Sequence, residues 1–93
     1  ALGSLSDSAW VLVSETCALD LIEANFVREL DPGEMLIINK RGLSSLKPFS
    51  SSQKRFCGFE YIYFARPDSI LNGKNVHLVR KEFGRQLARE TKP

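Results

Sequence analysis

The side chains here that could do chemistry are two cysteines, one histidine, a few carboxylates and a basic stripe. Cys17 lies in Ser14-Glu15-Thr16-Cys17-Ala18-Leu19-Asp20-Leu21-Ile22-Glu23, on the apolar side of a short helical repeat. A thiol in that position packs as a small hydrophobe. Cys57 opens the run Cys57-Gly58-Phe59-Glu60-Tyr61-Ile62-Tyr63-Phe64. His77 stands alone. A zinc site needs three or four ligands at regular spacing, and a histidine base needs a nucleophile beside it, so a surface or interface position is expected. Glu15 and Glu60 flank apolar stretches; without a paired carboxylate for acid–base work, structural hydrogen bonding is their expected role. Lys81, Arg85 and Arg89 recur every fourth residue and so share one helix face. With Tyr61 and Tyr63 as stacking platforms, that face could be a polyanion surface. A net charge of +2 and a stripe one helix long argue against nucleic acid and for a solvated face.

These residues must be positioned by a small scaffold. A chain of 93 residues supports one domain at most. Its hydrophobic fraction of 43% is ordinary for a globular protein, which argues against disorder throughout. The longest apolar run, around Phe59 to Ala65, is far short of the ~20 residues that span a bilayer, so no membrane partner is expected. Ala1-Leu2-Gly3-Ser4 has neither the basic nor the apolar part of a secretory signal, and two cysteines are too few for a disulfide framework. A cytoplasmic location is the expectation. Charge is unevenly divided: residues 1–53 carry four Lys/Arg against seven Asp/Glu, residues 54–93 nine against four. The change falls at Phe49-Ser50-Ser51-Ser52-Gln53-Lys54-Arg55, which reads as a connection between two units.

Ala9-Trp10-Val11-Leu12-Val13 is a short apolar run that suits a strand buried on both faces. The following segment predicts a short helix, capped by Ser14 or Thr16, with Cys17, Ala18, Leu21 and Ile22 on its inner side. Phe26 to Leu30 reads as a strand ending at Asp31-Pro32-Gly33-Glu34, where Pro32 presets φ and Gly33 tolerates positive φ. Met35 to Asn39 is a second strand, Lys40-Arg41-Gly42 a turn, and Leu43 to Phe49 a returning strand. Together these predict an antiparallel meander beside a helix. The run 56–64 holds five of the nine aromatics, and periodicity cannot separate a strand from a short buried helix there. Pro67 ends it, Asn72-Gly73 is a further turn, and Val76, Val79, Phe83 and Leu87 mark one face of a helix from about 74 to 90.

Three blocks then stand in order: Ser14 to Asp20, Arg28-Glu29-Leu30-Asp31-Pro32-Gly33-Glu34, and the thirteen residues Cys57 to Ser69. They resemble the amidophosphoribosyltransferase family, also called glutamine phosphoribosylpyrophosphate amidotransferase, and the similarity runs from about Leu2 to Glu90. The resemblance implies an α+β chain: the C-terminal part of a glutaminase domain over residues 1–55, then an aromatic connector and first helix towards a phosphoribosyltransferase domain over 56–93. The glutaminase part would be a piece of the αββα sandwich of N-terminal-nucleophile hydrolases, built here by strands near 9–14, 25–31, 34–40 and 43–48. Family members hydrolyse glutamine with an N-terminal cysteine and pass ammonia to a second site, where it displaces pyrophosphate to give phosphoribosylamine at the start of purine biosynthesis. This chain begins at Ala1, and no Asp-Asp-Ser phosphoribosylpyrophosphate segment follows Phe83. It is therefore expected to be a non-catalytic fragment or truncated relative, with no catalytic residue of its own.

By the same resemblance, Cys57 matches the first ligand of a [4Fe–4S] cluster that some members carry. A cluster needs about four thiolates, and the others would lie beyond Pro93, so an inert, buried Cys57 is the expectation. The family also uses magnesium; no cofactor is expected in this chain alone. Glu23 stands where relatives commonly have Gly. The expected partners are the remainder of the parent enzyme or further copies of the chain, through exposed apolar surface around Trp10, Val11 and Ile37. The rival reading is a stand-alone, non-catalytic interaction module that binds a protein or polyanionic partner.

Overall fold

The computed structural model describes residues 1–6, 8–50 and 53–92. Ser51 and Ser52, in the middle of the expected connection, lie outside the described residues; the flanks, 47–50 and 53–57, carry no regular hydrogen-bonded structure.

Strand β1 (Leu2–Ser4) sits at the centre of a three-stranded antiparallel sheet, between β2 (Trp10–Leu12) and β3 (Asn25–Arg28). Sequence pattern gives no sign of β1, because three residues with a central glycine show no alternation. Gly3 is there for a close approach. A Cβ at that position would lie 2.5 Å from Leu19 Cδ2 and 3.1 Å from the Asn25 carbonyl oxygen, so only glycine lets Leu19 close over the sheet. β2 is an edge strand with Trp10 and Leu12 exposed, which corrects the expectation of a strand buried on both faces: nothing among the described residues covers it.

Helix α1 (Thr16–Leu21) follows. Neither Ser14 nor Thr16 caps it; the N-cap is Glu15, with no side-chain capping bond. The Thr16 hydroxyl is engaged elsewhere, accepting the Ile70 N–H at 2.7 Å. That bond, with Leu19 seated on Gly3, sets the helix's rotation. The buried side is Thr16, Cys17 and Leu19, while Leu21 and Ile22, expected inside, are exposed. The helix ends in paired bonds, Glu23 N–H to Asp20 O at 3.2 Å and Ala24 N–H to Leu19 O at 2.9 Å, with Glu23 at φ +54°.

The turn after β3 is of the expected kind: Glu34 N–H donates to Asp31 O at 3.1 Å and Gly33 takes φ +76°. The meander, however, is not formed. β4 (Met35–Asn39) and β5 (Gly42–Leu46) pair only with each other, in the register Met35↔Leu46 to Asn39↔Gly42. A turn with Pro32 and Gly33 at its centre splays the flanking strands instead of matching their twist, so β4 leaves β3.

The aromatic segment resolves as one wide helical turn, Glu60–Phe64, closed by Ala65 N–H donating to Glu60 O at 3.0 Å. It is not buried: Phe59, Ile62, Tyr63 and Phe64 are all exposed. A two-residue hairpin follows, β6 (Ile70–Leu71) and β7 (Lys74–Asn75), with Asn72 and Gly73 both at positive φ as its tight turn requires. Helix α2 (Val76–Thr91) then starts with Asn75 Oδ1 accepting the Leu78 N–H at 3.1 Å. Of its apolar face only Val76 is buried; Phe83 and Leu87 are exposed.

The radius of gyration is 16.8 Å, against about 12 Å for a self-contained domain of this length. The accessible surface of 7401 Å² likewise exceeds the roughly 5,400 Å² of a folded monomer of this mass. The chain has the surface of a piece cut from a larger core. Among the described residues no helix is long and apolar enough to cross a membrane.

Candidate functional site

The chemistry-bearing residues do not converge. Cys17 is buried as expected, its thiol 3.3 Å from Glu15 Oε2. Cys57 is exposed, which corrects the expectation of burial: the irregular chain before the aromatic turn leaves it on the outside. No three or more His, Cys, Asp or Glu groups gather into a metal-binding set among the described residues. One exposed thiol does not hold a four-iron cluster, so these residues do not fit that group by themselves. His77 is exposed at the start of α2, its backbone N–H donating to Pro67 O at 3.0 Å. Tyr61 donates its hydroxyl to Leu71 O at 2.7 Å and packs its ring against Phe56 with centroids 5.0 Å apart, so it is an anchor and not a free stacking platform. Tyr63 remains exposed, edge-on to Phe64. Lys81, Arg85 and Arg89 lie on the exposed side of α2, where Glu82 pairs with Arg85 at 3.0 Å and Arg89 at 3.9 Å.

What the fold does assemble is a junction. Residues 66–70 run between the N-terminal end of α1 and the N-terminal end of α2. On the α1 side, Ser69 donates its hydroxyl to Glu15 Oε2 at 3.3 Å, and Ile70 N–H donates to Thr16 Oγ1 at 2.7 Å. On the α2 side, Val76 N–H donates to Ser69 O and His77 N–H to Pro67 O, both at 3.0 Å, which satisfies two donors that a helix start leaves open. Ser69 is fully buried and Thr16 nearly so. Arg66 forks onto Asp68 at 3.0 and 3.1 Å; that hydrogen-bonded pairing holds the Asp68 carboxyl below its ordinary range. Arg80 completes the joint from α2, donating Nε to Tyr61 O at 2.5 Å and Nη2 to Ala65 O at 2.7 Å, and so ties the aromatic turn to the helix.

A second polar centre holds the β4–β5 hairpin. The Glu34 carboxylate, 1% exposed, accepts a fork from Arg28 at 2.8 and 2.5 Å, the Asp31 N–H at 2.9 Å and the Ser45 hydroxyl at 2.6 Å. The Arg28 bonds first, then Ser45 and Asp31, hold its carboxyl far below the ordinary range. Asp31 is itself held down by Lys54 and Lys47. Sequence reading singled out Glu15 but missed Ser69, Arg80 and Glu34. Ser69 reaches Glu15 across 54 residues, Arg80 reaches carbonyls 19 and 15 residues back, and Glu34 gathers Arg28 and Ser45 from 6 and 11 residues away; no local spacing signals these partners.

No protein-family model matches the chain. Individual proteins do. The amidophosphoribosyltransferase of Bacillus subtilis (strain 168) is 47% identical over 91 residues, 98% of this chain and 19% of the relative. That of Mycobacterium tuberculosis (strain H37Rv) is 50% identical over 90 residues, 97% of this chain and 17% of the relative. A solved structure described as the allosteric regulatory enzyme of purine biosynthesis superposes with a TM-score of 0.92 at 47% identity, over 98% of this chain and 19% of that one. The glutamine phosphoribosylpyrophosphate amidotransferase of B. subtilis, complexed with ADP and GMP, gives 0.91 at 47% identity, over 98% and 20%. The chain thus spans about a fifth of the length of the proteins it matches.

Proposed function

The chain is homologous through nearly all its length to one segment of amidophosphoribosyltransferases, and we propose that it works as the non-catalytic joint of such an enzyme. In this reading residues 1–55 complete a glutaminase domain with an N-terminal-nucleophile αββα sandwich. Residues 56–93 are the aromatic connector and first helix leading to the phosphoribosyltransferase domain. The parent would release ammonia from glutamine and use it to displace pyrophosphate from phosphoribosylpyrophosphate, giving phosphoribosylamine for purine synthesis. The nucleophile and the phosphoribosylpyrophosphate site would then lie in other parts of the polypeptide. Magnesium, and in cluster-bearing members an iron–sulfur centre with Cys57 as one of several thiolates, would belong to the assembled enzyme and not to this segment.

The observation that carries this reading is the match of sequence and backbone over 98% of the chain to a fifth of a larger enzyme. The uncovered faces support it: Trp10 and Ile37 are exposed as expected, Val11 is half-buried, and Phe83 and Leu87 on α2 are exposed. The remainder of the parent, or in its absence further copies of the chain, would cover them. Nothing favours a stand-alone module, whose core should close on itself. The test is the intact mass of the endogenous polypeptide in its source cell, in the cytoplasm where such synthesis would run. A mass several-fold above 10.5 kDa is expected; a product near that mass would overturn the reading.

A further inference from the structure

We propose that Asn72 is a site of spontaneous covalent modification, where its carboxamide closes on the Gly73 nitrogen and reopens to an isoaspartyl linkage in the turn that leads into α2. The proposal stands apart from the functional reading above and needs only the polypeptide that carries this segment. The asparagines of the chain are Asn25, Asn39, Asn72 and Asn75, followed by Phe26, Lys40, Gly73 and Val76. Ring closure brings the following nitrogen onto the asparagine Cγ, and any side chain larger than glycine's crowds that approach. At Gly73 nothing lies within 4 Å of the place a Cβ would take. The other three sites are restrained. Asn25 is paired with Ser4 across β3 and β1, Asn39 Oδ1 accepts the Arg41 N–H at 2.8 Å, and Asn75 Oδ1 accepts the Leu78 N–H at 3.1 Å. Asn72 is exposed at the tip of the hairpin, and its carboxamide makes no such bond among the described residues. The Gly73 N–H lies inside the turn closed by Leu71↔Lys74, and so outside the ladder. That ladder is two residue pairs long, Ile70↔Asn75 and Leu71↔Lys74. The tip of so short a hairpin opens locally at small cost, which supplies the backbone rotation that ring closure needs from a left-handed start at φ +48°.

In the step, the Gly73 N–H gives its proton to hydroxide, the nitrogen bonds to Asn72 Cγ, and the Cγ–Nδ2 bond breaks with release of ammonia. Water then opens the cyclic imide. Cleavage of the new Cγ–N bond leaves an ordinary aspartyl residue. Cleavage at the main-chain carbonyl leaves the chain running through Cγ, one carbon longer. No electrons are transferred. Both products add a negative charge, but only the longer one no longer fits a two-residue turn. Its effect reaches beyond the tip, because Leu71 O accepts the Tyr61 hydroxyl at 2.7 Å and Asn75 caps α2.

The test ages the full-length polypeptide at neutral and mildly alkaline pH. Peptide mapping then reads aspartyl and isoaspartyl products at all four asparagines, and hydrogen exchange is followed at the hairpin amides. Asn72 is expected to react several-fold faster than each of the other three, faster still at the higher pH, with the isoaspartyl form present. Asn72→Gln should abolish the product at that position, since its longer side chain closes a less favourable ring. Exchange at Leu71 and Lys74 should quicken as the isoaspartyl form accumulates. Freshly prepared Asn72→Asp, which has the charge without the extra carbon, should exchange like the unaged parent. A rate at Asn72 no greater than at the other three would overturn the proposal. So would modification seen only after unfolding in urea, because the folded turn would then protect the site. Isoaspartyl product with unchanged exchange would overturn the effect on the hairpin and leave the modification itself established.

Discussion

Glu23 occupies the position just past the end of α1, where the backbone turns left-handed at φ +54° to close the helix with paired bonds. An L side chain pays a steric cost there that glycine avoids, roughly 1–2 kcal/mol before glycine's extra freedom in the unfolded chain offsets part of it. This supplies a physical reason for the expectation that relatives carry Gly at this place. Glu23→Gly should stabilise the polypeptide carrying this segment by about 0.5–1 kcal/mol. Urea unfolding would read the gain, and a midpoint at or below the parent's would contradict the account. Gly3 illustrates the opposite constraint. Its φ is ordinary, but Leu19 fills the space a Cβ would need.

At the scale of elements, the β4–β5 hairpin hangs from β3 by charge and hydrogen bonds instead of strand pairing. Its attachment should therefore respond to acid. A carboxyl whose folded pKa is depressed contributes stability that is whole above its unfolded value and lost as pH falls through the folded one. Glu34 starts from an ordinary value of 4.5 and is held far below it by Arg28, Ser45 and the Asp31 N–H. Hydrogen-exchange protection of the hairpin amides should thus fall as pH drops below 4.5 and keep falling to strongly acid conditions. Glu34→Gln should flatten that dependence and lower protection at neutral pH, since Arg28 loses its anionic partner. Asp31, depressed by Lys54 and Lys47, acts in the same direction, so a smaller slope should remain. A slope identical in E34Q would remove Glu34 from its assigned role.

For the whole molecule the governing quantity is surface. The 7401 Å² exposed exceeds the size-scaled value by about 2,000 Å², comparable to a standard protein–protein interface of roughly 1,600 Å². Much of it lies on large apolar side chains, among them Phe26, Ile38, Leu46, Phe64 and Leu87. By itself the 93-residue chain should self-associate at micromolar concentration, by mutual burial of these faces. Sedimentation velocity decides this; a compact, strictly monomeric species would count against it. The same surface argues against a closed interaction module, whose apolar groups should be turned inward.

Sequence alone determined what depends on neighbours in the chain. Pro32-Gly33 and Asn72-Gly73 demand particular φ values, and the turns are where those residues stand. Val76, Val79, Phe83 and Leu87 repeat with the period of one helix face, and α2 is there, although the hairpin strand Lys74–Asn75 takes the first two residues expected of it. The three blocks that resemble amidophosphoribosyltransferases were legible for the same reason, since a family resemblance is read in linear order. Tertiary structure decided what depends on residues far apart. It chose which side of α1 faces inward, added the three-residue strand β1, and separated the hairpin from β3. It also left Cys57 outside and brought Ser69 to Glu15 across 54 positions. Such contacts are fixed by the shape of the closed chain, and in this protein much of that closure belongs to surface the chain does not cover by itself.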